Sequence, residues 1–253
     1  MISVCMPTYN GEKFIKDQID SILMQLSDID ELIVSDDSSS DNTINIIKSY
    51  NDIRIRILEN NTFRSPIYNL ENALKQAKGD FVFLSDQDDI WHPQKVKNMI
   101  VALQDYDLVV CNSKLIDEKD NVLKDNYFQH YFKQEKPPLN FLKNLKKNPF
   151  LGCAMAFRKS LLKKALPFPK KIAMHDIWIG LLGELTGKVI FLDKPLQYWR
   201  RHAGNVTNSI ERGENLTNNS FIYKIFYRIQ IILSLVLRLL VIKYFKNKVN
   251  IKK

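Results

Sequence analysis

Three aspartates lie within four positions, directly after a short apolar run. The run is Phe81–Leu84 followed by Ser85, and the aspartates are Asp86, Asp88 and Asp89. Carboxylates this close repel one another. A divalent cation is the usual compensation, because Mg²⁺ and Mn²⁺ prefer oxygen ligands and leave positions open for phosphate oxygens. A solvated acidic turn has the same sequence, so the motif alone predicts either a metal site or an exposed turn.

Two further polar segments follow apolar runs nearer the N-terminus. One comes after residues 2–6 and the other after residues 31–35. Their polar or turn-forming members are Pro7, Thr8, Tyr9, Asn10, Asp36 and Asp37. The first 110 residues alternate strand-like and helix-like segments, which predicts an α/β fold with a Rossmann-like, mostly parallel sheet flanked by helices. Ligands bind beyond the carboxyl ends of such strands, so the three polar segments should meet at one edge.

Hydrophobic periodicity predicts the elements along the rest of the chain. Strands are expected at 2–6, 31–35, 53–58, 81–85 and 108–111, with helices at 12–26, 41–50, 66–77 and after Pro93. Later elements are a hairpin turn at 117–121, helices near 139–145 and at 174–186, and strands at 189–192 and 196–199. This pattern predicts one α/β domain over residues 1–205.

Composition limits the class of protein. The 253 residues are 45% hydrophobic, which is ample for a buried core. The net charge of +9 comes almost entirely from the C-terminus, because residues 1–214 carry 29 basic and 28 acidic side chains and no acidic residue follows Glu214. A near-neutral body argues against a nucleic-acid-binding domain, which would show a basic face.

The three cysteines are widely spaced and odd in number. Cys5, Cys111 and Cys153 fit neither a disulfide framework nor a zinc motif, which predicts reduced side chains in the cytoplasm. The N-terminus lacks the basic and apolar regions of a signal peptide, which predicts the same location.

A basic, apolar tail is expected over residues 219–253, with a long helix at 221–245. Its polar positions fall mostly in one stripe at helical spacing: Lys224, Arg228, Ser234, Arg238 and Lys246. The uninterrupted apolar runs are shorter than the ~20 residues of a membrane span. The pattern is typical of an amphipathic helix that lies in a membrane interface and binds anionic lipid, with packing on the domain or on another subunit as the alternative.

Three strings, in this order and spacing, resemble family 2 glycosyltransferases of the GT-A fold. They are Ser3–Asn10, Leu32–Asp41 and Leu84–Asp89. The likeness is strong over residues 2–110 and looser as far as His202. It is closest to rhamnosyltransferase-like members, in which an Asp-Gln-Asp-Asp-Ile-Trp string and a later His-Asp-x-Trp string are familiar. The resemblance implies a nucleotide-binding half at 1–110 and an acceptor half at 111–205.

The resemblance implies that the first two polar segments bind a nucleotide. The residues concerned are Pro7, Thr8, Tyr9, Asn10, Asp36 and Asp37. Asp37 can accept from the N3–H of uracil or thymine, and Tyr9 can stack on the ring. Asp36 would support the turn or the ribose.

The acidic motif would bind a metal and the donor sugar. Asp88 is the implied ligand of Mn²⁺ or Mg²⁺, and His202 could add a nitrogen. Asp86 and Asp89 would hold sugar hydroxyls, metal or water. Such an ion would neutralise the leaving diphosphate as its bond to the sugar breaks.

Asp176 is the implied general base. It would take the proton of an acceptor hydroxyl that attacks the anomeric carbon opposite the diphosphate, which inverts the configuration. This role requires that burial or a nearby negative group raise its pKa toward neutrality.

The remaining implied contacts to the acceptor or the diphosphate each have a structural alternative. They are Trp91, Gly152, Cys153, His175, Trp178, Arg200 and Arg201. Trp178 could be a sugar-stacking wall, but a tryptophan at helical spacing is more often core. The two arginines could clamp phosphate or form a solvated basic turn, and Gly152 could serve a tight turn.

The sequence departs from the family pattern at two places. Ser38 stands where the family commonly has glycine, and Arg64–Pro66 occupies a stretch that is often glycine-rich. The Gln-x-x-Arg-Trp signature of processive synthases is absent, so we expect an enzyme that adds one sugar and stops.

The leading hypothesis is an inverting, metal-dependent transfer of one sugar from a UDP- or dTDP-sugar. The acceptor would be a lipid-linked oligosaccharide at the cytoplasmic face of the membrane, in the synthesis of bacterial O-antigen or capsule. A sugar nucleotidyltransferase is a weaker alternative, because no Gly-rich loop with Lys or Arg follows the first strand to hold a triphosphate. The other alternative is a catalytically inactive scaffold that binds nucleotide sugar and is anchored by its tail.

Overall fold

The computed structural model describes residues 1–170, 172–202 and 221–250. The domain boundary expected near residue 205 and the start of the tail at residue 219 lie outside these residues.

The described residues alternate strands and helices as predicted over the first 110 positions. The strands are β1 Ile2–Thr8, β2 Glu31–Asp36, β3 Ile55–Leu58, β4 Phe81–Leu84, β5 Ile90–Trp91, β6 Leu108–Ile116, β7 Val122–Lys124, β8 Met155–Arg158 and β9 Val189–Arg200. The helices are α1 Ile15–Leu23, α2 Thr43–Ser49, α3 Pro66–Gln76, α4 Lys95–Ala102, α5 Tyr127–Phe132, α6 Phe141–Lys146, α7 Lys159–Ala165, α8 His175–Thr186 and α9 Phe221–Asn250. A 3₁₀ turn covers Gly152–Ala154.

The strands form one sheet in the order β3-β2-β1-β4-β8-β6-β9-β5, with β7 paired to β6. Strands β1 to β4 are parallel to one another. Strand β8 lies between β4 and β6 and is antiparallel to both, so β6 runs with β4 without pairing to it. The mostly parallel sheet is confirmed, but the sequence pattern did not indicate the insertion of β8.

Strand β9 is continuous, whereas the sequence predicted two strands. Its register along β6 shifts after Leu192, and Pro195 is the next residue to pair. Asp193 and Lys194 therefore form an irregularity within one strand. Because a proline removes one ladder hydrogen bond and bulges interrupt the alternation of side chains, the local pattern resembled a break.

The central strands are buried on both faces, which accounts for their nearly continuous apolar sequences. Cys5, Cys111 and Cys153 are buried and free of disulfides, as predicted for reduced core residues.

Helix α9 packs on the domain through its arginines. Arg228 donates to the carbonyls of Leu145 and Lys146 (3.2 and 2.8 Å), at the end of α6. Arg238 donates from Nη1 to the carbonyls of Lys164 and Leu166 (both 2.7 Å), at the end of α7, and from Nη2 to that of Pro167. The last carbonyls of a helix lack intrahelical donors and carry partial negative charge, so a guanidinium suits both positions.

The opposite side of α9 is apolar and exposed. Its exposed large side chains are Ile225, Phe226, Ile229, Ile232, Leu233, Val236, Leu237, Leu240, Val241, Tyr244 and Phe245. We call this surface the α9 face. The expected exposure of the basic stripe is therefore corrected: Arg228 and Arg238 bond to the domain, and most of the large side chains that α9 exposes are apolar.

The expectation that α9 is too short in apolar sequence for a span is also corrected. The segment Ile225–Phe245 has 21 residues with a mean hydropathy of 2.1, and it is long and apolar enough to cross a membrane by length and composition.

Arg238→Gln is expected to weaken the packing of α9. Removing the guanidinium leaves three carbonyls without these donors, which should lower the free energy of unfolding by about 1–3 kcal/mol in denaturant titration. Lys243→Gln, at an exposed position of the same helix, is the matched control and should change it by less than about 0.5 kcal/mol. Equal effects of the two substitutions would contradict the contact.

Candidate active site

The carboxyl ends of β1 and β2 are joined through Asp36. Thr8 Oγ1 donates to Asp36 Oδ1 (3.0 Å), and Ser39 donates to the same carboxylate from its N–H (2.8 Å) and its hydroxyl (2.5 Å). Asp36 is 1% exposed. Of the two functions expected for Asp36, these contacts correspond to support of the turn.

Asp37 organises the loop that follows β3. Its carboxylate accepts from the N–H groups of Phe63 (2.6 Å) and Ser65 (3.2 Å). Ser38, beside it, has a φ of 61°, and its hydroxyl donates to the carbonyl of Asn61 (2.6 Å). Serine at this position therefore adopts the left-handed conformation that glycine favours.

Tyr9 presents its ring to solvent at the same edge, where it is 58% exposed. Asn10 Oδ1 accepts from the N–H of Ser40 (2.8 Å), and the N–H of Asn10 donates to Ser39 Oγ (2.9 Å). Pro7 lies within β1. The structure thus brings the residues expected to bind a nucleotide to one edge of the sheet.

The aspartates after β4, Asp86, Asp88 and Asp89, form what we call the acidic cluster. Ligand atoms of Asp86, Asp89 and Cys153 lie within 4.8 Å of one another. Burial and the charge of Asp88 raise the pKa of Asp86 to about 7 and that of Asp89 well above its usual value. Asp89 Oδ1 accepts from the N–H of Arg200 (2.9 Å). Negative charge at this edge is therefore crowded and poorly solvated.

A buried lysine lies beneath the acidic cluster. Lys95 Nζ donates to the carbonyl of Cys153 (2.7 Å) and to Gln197 Oε1 (2.5 Å), and it lies 4.2 Å from the centroid of the Trp91 ring. Gln197 Nε2 in turn donates to Cys153 Sγ (3.1 Å). Burial lowers the pKa of Lys95, while the nearby acidic groups oppose that shift. Lys95 thus lies close enough to Asp86 and Asp89 for their charges to affect its pKa.

Asp88 lies on the more exposed side of the acidic cluster and contacts His202. His202 Nε2 and Asp88 Oδ2 are 2.8 Å apart, and each side chain is 15% exposed. The imidazole packs on Phe14, with ring centroids 4.9 Å apart. Two of the expected metal ligands are therefore neighbours.

The donors at this position suit a hard divalent cation. Asp86 and Asp88 offer carboxylate oxygens, and His202 offers a nitrogen. Asp89 Oδ2 is buried without a hydrogen-bond partner within the described ranges. Burial raises the pKa of the Cys153 thiol well above its usual value, so this sulfur stays protonated and is a poor ligand. The set fits Mn²⁺ or Mg²⁺, the former tolerating nitrogen more readily.

Asp176 is the second residue of α8 and is buried. Burial raises its pKa to about 7, and the Ile177 N–H and the Asn148 side chain oppose this shift. The charge of Asp176 contributes to the raised pKa of Asp86, so the two carboxylates are close enough to interact. A carboxylate with this pKa can accept a proton efficiently near neutral pH.

His175 packs against the Gly152 turn. A Cβ at Gly152 would lie 2.7 Å from His175 Nε2, so only glycine allows this approach. Burial lowers the pKa of His175 to about 4, which keeps the ring neutral at pH 7. The structure brings Gly152, Cys153 and His175 together beside Asp176.

The two tryptophans expected near the acceptor belong to the core. Trp91 is 2% exposed, and its ring centroid is 5.7 Å from that of Phe83. Trp178 is fully buried, and its Nε1 donates to the carbonyl of Ala165 (3.0 Å). The expected acceptor or diphosphate contact of Trp91 and the expected stacking surface of Trp178 are both corrected, because the two rings are buried.

Arg200 is also buried, so its expected contact with diphosphate is corrected to a contact within the protein. Its Nε donates to the carbonyl of Asp88 (2.8 Å), and its Nη1 pairs with Asp120. Arg201 is half-buried, with its guanidinium 4.6 Å from the ring centroid of Trp199.

Sequence analysis missed Lys95 and Gln197. Lysines are almost never fully buried, and nothing in the spacing around Lys95 distinguishes it from an exposed helical position. Gln197 gave a weak signal, as a polar residue within a predicted apolar strand.

Comparison with known proteins gives a family and a set of relatives. The family model described as "Glycosyl transferase family 2" matches residues 3–166. The UDP-Glc:alpha-D-GlcNAc-diphosphoundecaprenol beta-1,3-glucosyltransferase WfgD of Escherichia coli is 31% identical over 186 residues, covering 72% of this chain and 70% of WfgD. The dTDP-rhamnosyl transferase RfbG of Shigella flexneri is 29% identical over 218 residues, covering 79% of this chain and 72% of RfbG. The chain spans about two thirds of the length of the curated relatives it matches.

A solved structure shares the fold. Residues 1–349 of S. aureus TarS, in complex with UDP-GlcNAc, match with a TM-score of 0.64 and 25% identity. The match covers 82% of this chain and 60% of that one.

Asp176→Asn is expected to stabilise the fold at pH 8. The carboxyl pKa is about 3.9 in an unfolded chain and about 7 in the folded one, so ionisation costs stability progressively between these values and fully above pH 7. An amide carries no such cost. The melting temperature should rise by about 3 °C or more at pH 8 and by much less at pH 4.5.

The exposed Asp105→Asn variant is the control and should not shift the melting temperature at either pH. A melting temperature of Asp176→Asn at or below the wild-type value at pH 8 would argue against a buried, ionised carboxylate.

Proposed function

The chain belongs to glycosyltransferase family 2 and has the GT-A fold that its sequence predicts, and we propose that it transfers one sugar from a UDP- or dTDP-sugar to a saccharide hydroxyl. The observation that carries this proposal is geometric: His175, next to Asp176, packs on Gly152, and the adjacent Cys153 lies within 4.8 Å of Asp86 and Asp89. The residues that we assign to the nucleotide, the metal and the base thus lie near one another, which supports the proposal.

In this proposal the nucleotide lies across the ends of β1 and β2. The exposed ring of Tyr9 stacks on the base. The Asp37 carboxylate accepts one backbone hydrogen bond at each oxygen, which leaves each oxygen a further lone pair for the N3–H of uracil or thymine. TarS, of the same fold, was solved with UDP-GlcNAc, which supports a nucleotide-sugar donor.

Asp88, Asp86 and His202 would hold Mn²⁺ or Mg²⁺. When bound, such an ion supplies electrostatic stabilisation of the leaving diphosphate. Of the two aspartates expected to hold the donor sugar, Asp86 is half-buried and Asp89 only 1% exposed, so we assign the sugar contact to Asp86.

Asp176 acts as the general base. It accepts the proton of the acceptor hydroxyl while the hydroxyl oxygen bonds to the anomeric carbon and the bond from that carbon to the diphosphate breaks. This single displacement inverts the configuration. Because the pKa of Asp176 is about 7, the carboxylate is present at neutral pH and still basic enough to take the proton.

We infer a lipid-linked acceptor at the cytoplasmic face of the membrane, in bacterial surface polysaccharide synthesis. The name of WfgD describes transfer onto a diphosphoundecaprenol-linked sugar, and that relative supports the inference.

The α9 face supports a peripheral position on that membrane. It exposes eleven large apolar side chains. Exposed lysines on neighbouring elements include Lys143, Lys146, Lys147, Lys163 and Lys170. Apolar contact with acyl chains, flanked by lysines that attract anionic headgroups, suits a helix lying in the interface.

Asp176→Asn and Asp88→Asn should each lower kcat by about a hundredfold or more, because one loses the base and the other a charge at the diphosphate. Asp176→Asn should keep wild-type affinity for the nucleotide, whereas Asp88→Asn should lose the effect of Mn²⁺ on that affinity. A thermal-shift panel of UDP-, dTDP- and GDP-sugars with Mn²⁺ identifies the donor, and release of the nucleotide in the presence of lipid-linked acceptor measures turnover.

Normal turnover by Asp176→Asn would refute the assigned base. A wild-type protein that binds nucleotide sugar but transfers nothing to lipid-linked acceptors would instead favour an inactive scaffold. Release of pyrophosphate from a nucleoside triphosphate would favour a nucleotidyltransferase.

Replacing Leu233, Leu237 and Leu240 together by serine should weaken sedimentation with anionic vesicles by about tenfold or more, because apolar area is lost from the interface. Binding of the wild-type protein to the vesicles should largely persist in 0.5 M NaCl. Val122→Ser with Leu123→Ser, at exposed positions on β7, is the matched control. Vesicle binding that high salt abolishes, or that the triple substitution leaves unchanged, would contradict docking through the α9 face.

A further inference from the structure

The acidic loop, residues 85–89, touches the first loop, residues 9–14, through one side chain. Gln87 Nε2 donates to the carbonyl of Tyr9 (3.0 Å), and Gln87 Oε1 accepts from the N–H of the same residue (2.9 Å). One amide therefore satisfies both main-chain polar groups of Tyr9. Reversing the amide would oppose two acceptors and two donors, so this orientation is the one the geometry allows.

Gly11, two positions after Tyr9, leaves room for this contact because it has no side chain. A Cβ at Gly11 would lie 2.4 Å from Gln87 Oε1 and 2.7 Å from its Cδ. Cβ atoms do not approach non-bonded neighbours this closely, so a side chain at position 11 would displace the Gln87 amide. Gly11 is itself held in place, because its N–H donates to Thr43 Oγ1 (2.7 Å).

The other side of the first loop is fastened to the turn after β2. Asn10 exchanges hydrogen bonds with Ser39 and Ser40, and the N–H of Glu12 donates to Asp41 (3.0 Å). Gln87 completes this arrangement from the acidic loop. The first loop is thus fixed between the turn that carries Asp37 and the loop that carries the acidic cluster.

We propose that Gln87 is a positioning residue that fixes the distance between the base-stacking ring of Tyr9 and the diphosphate end of the site. The proposal rests on the proposed function, since it assigns the base to Tyr9 and the diphosphate to the neighbourhood of Asp86 and Asp88. Gln87 lies between these two aspartates in the chain, and its side chain reaches the first loop. A nucleoside diphosphate must contact both loops at once, so their fixed spacing lowers the ordering cost of binding.

This position predicts which kinetic constant changes. Gln87 touches neither Asp176 nor the acceptor region around Gly152 in the described contacts. Its loss should therefore weaken binding of the nucleotide without slowing the bond exchange once the donor is bound. A residue needed only for folding would lower the active fraction, and hence kcat, with little change in affinity.

A double-mutant cycle on Gly11 and Gln87 tests the proposal. Gln87→Ala removes the contact, and Gly11→Ala displaces it. Each should raise the Kd of UDP or dTDP, whichever the wild type binds more tightly with Mn²⁺, by about tenfold, as expected for two lost hydrogen bonds. Because both changes break the same contact, the double variant should also be about tenfold weaker and not about a hundredfold.

The kinetic arm of the experiment uses the full chain with its donor. Gln87→Ala should raise KM for the nucleotide sugar about tenfold and leave kcat within about twofold. Gln87→Glu should resemble Gln87→Ala, because a carboxylate cannot donate to the carbonyl of Tyr9. Gln104→Ala, an exposed glutamine whose amide contacts only the Ile100 carbonyl in the described part of the chain, is the control and should behave as wild type.

Three results would overturn the proposal: unchanged affinity in Gln87→Ala, multiplicative effects in the double variant, or a fall in kcat at constant KM. Should Gly11→Ala fold poorly, the affinities of Gln87→Ala and Gln87→Glu decide alone. Failure of the proposed function is distinguishable from failure of the Gln87 proposal. In the former case the wild-type protein would bind neither UDP nor dTDP, or it would transfer no sugar.

Discussion

The crowding of three carboxylates at the end of β4 is the constraint on which the rest of the site depends. Asp86, Asp88 and Asp89 repel one another, and burial denies them the solvation that an exposed turn would give. Two basic residues lie beside the cluster. Lys95 donates to the Cys153 carbonyl, while Arg200 donates from its N–H to the Asp89 carboxylate and from its Nε to the main-chain carbonyl of Asp88. The motif alone left a metal site and an exposed turn open, whereas the folded chain brings basic side chains close to the buried carboxylates.

The sheet order brings residues from the second half of the chain to the acidic cluster. The strand β8 lies beside β4, so Cys153, two residues before β8, falls next to the acidic cluster. The strand β9 then carries Gln197 and Arg200 to the same edge. An uninterrupted parallel sheet would have left these residues elsewhere. Through the insertion of β8, the second half of the chain thus contributes residues around the acidic cluster.

Sequence patterns predicted the strand ends and the polar residues that follow them. They failed to predict which side chains are buried by packing between elements. Strand ends and their aspartates follow from periodicity, so the three polar segments were located correctly. Trp91 and Trp178 have the residue type of a sugar wall and of a core alike, and only packing separates the two. The sequence likewise showed the stripe that contains Arg228 and Arg238. It did not show that these arginines donate to carbonyls at the ends of α6 and α7.

Two carboxyl groups in the site share a pKa of about 7 for different reasons, and this difference separates their roles. At Asp86 the shift comes from burial together with Asp88 and Asp176, so any cation brought to the cluster opposes it. At Asp176 burial is the main cause, and the interaction with Asp86 is shared by both groups. Burial at the start of α8 therefore sets most of the basicity of Asp176, whereas that of Asp86 depends more strongly on what the acidic cluster binds. A group whose proton affinity comes mainly from burial keeps most of that affinity when a cation occupies the cluster, which suits the proposed base.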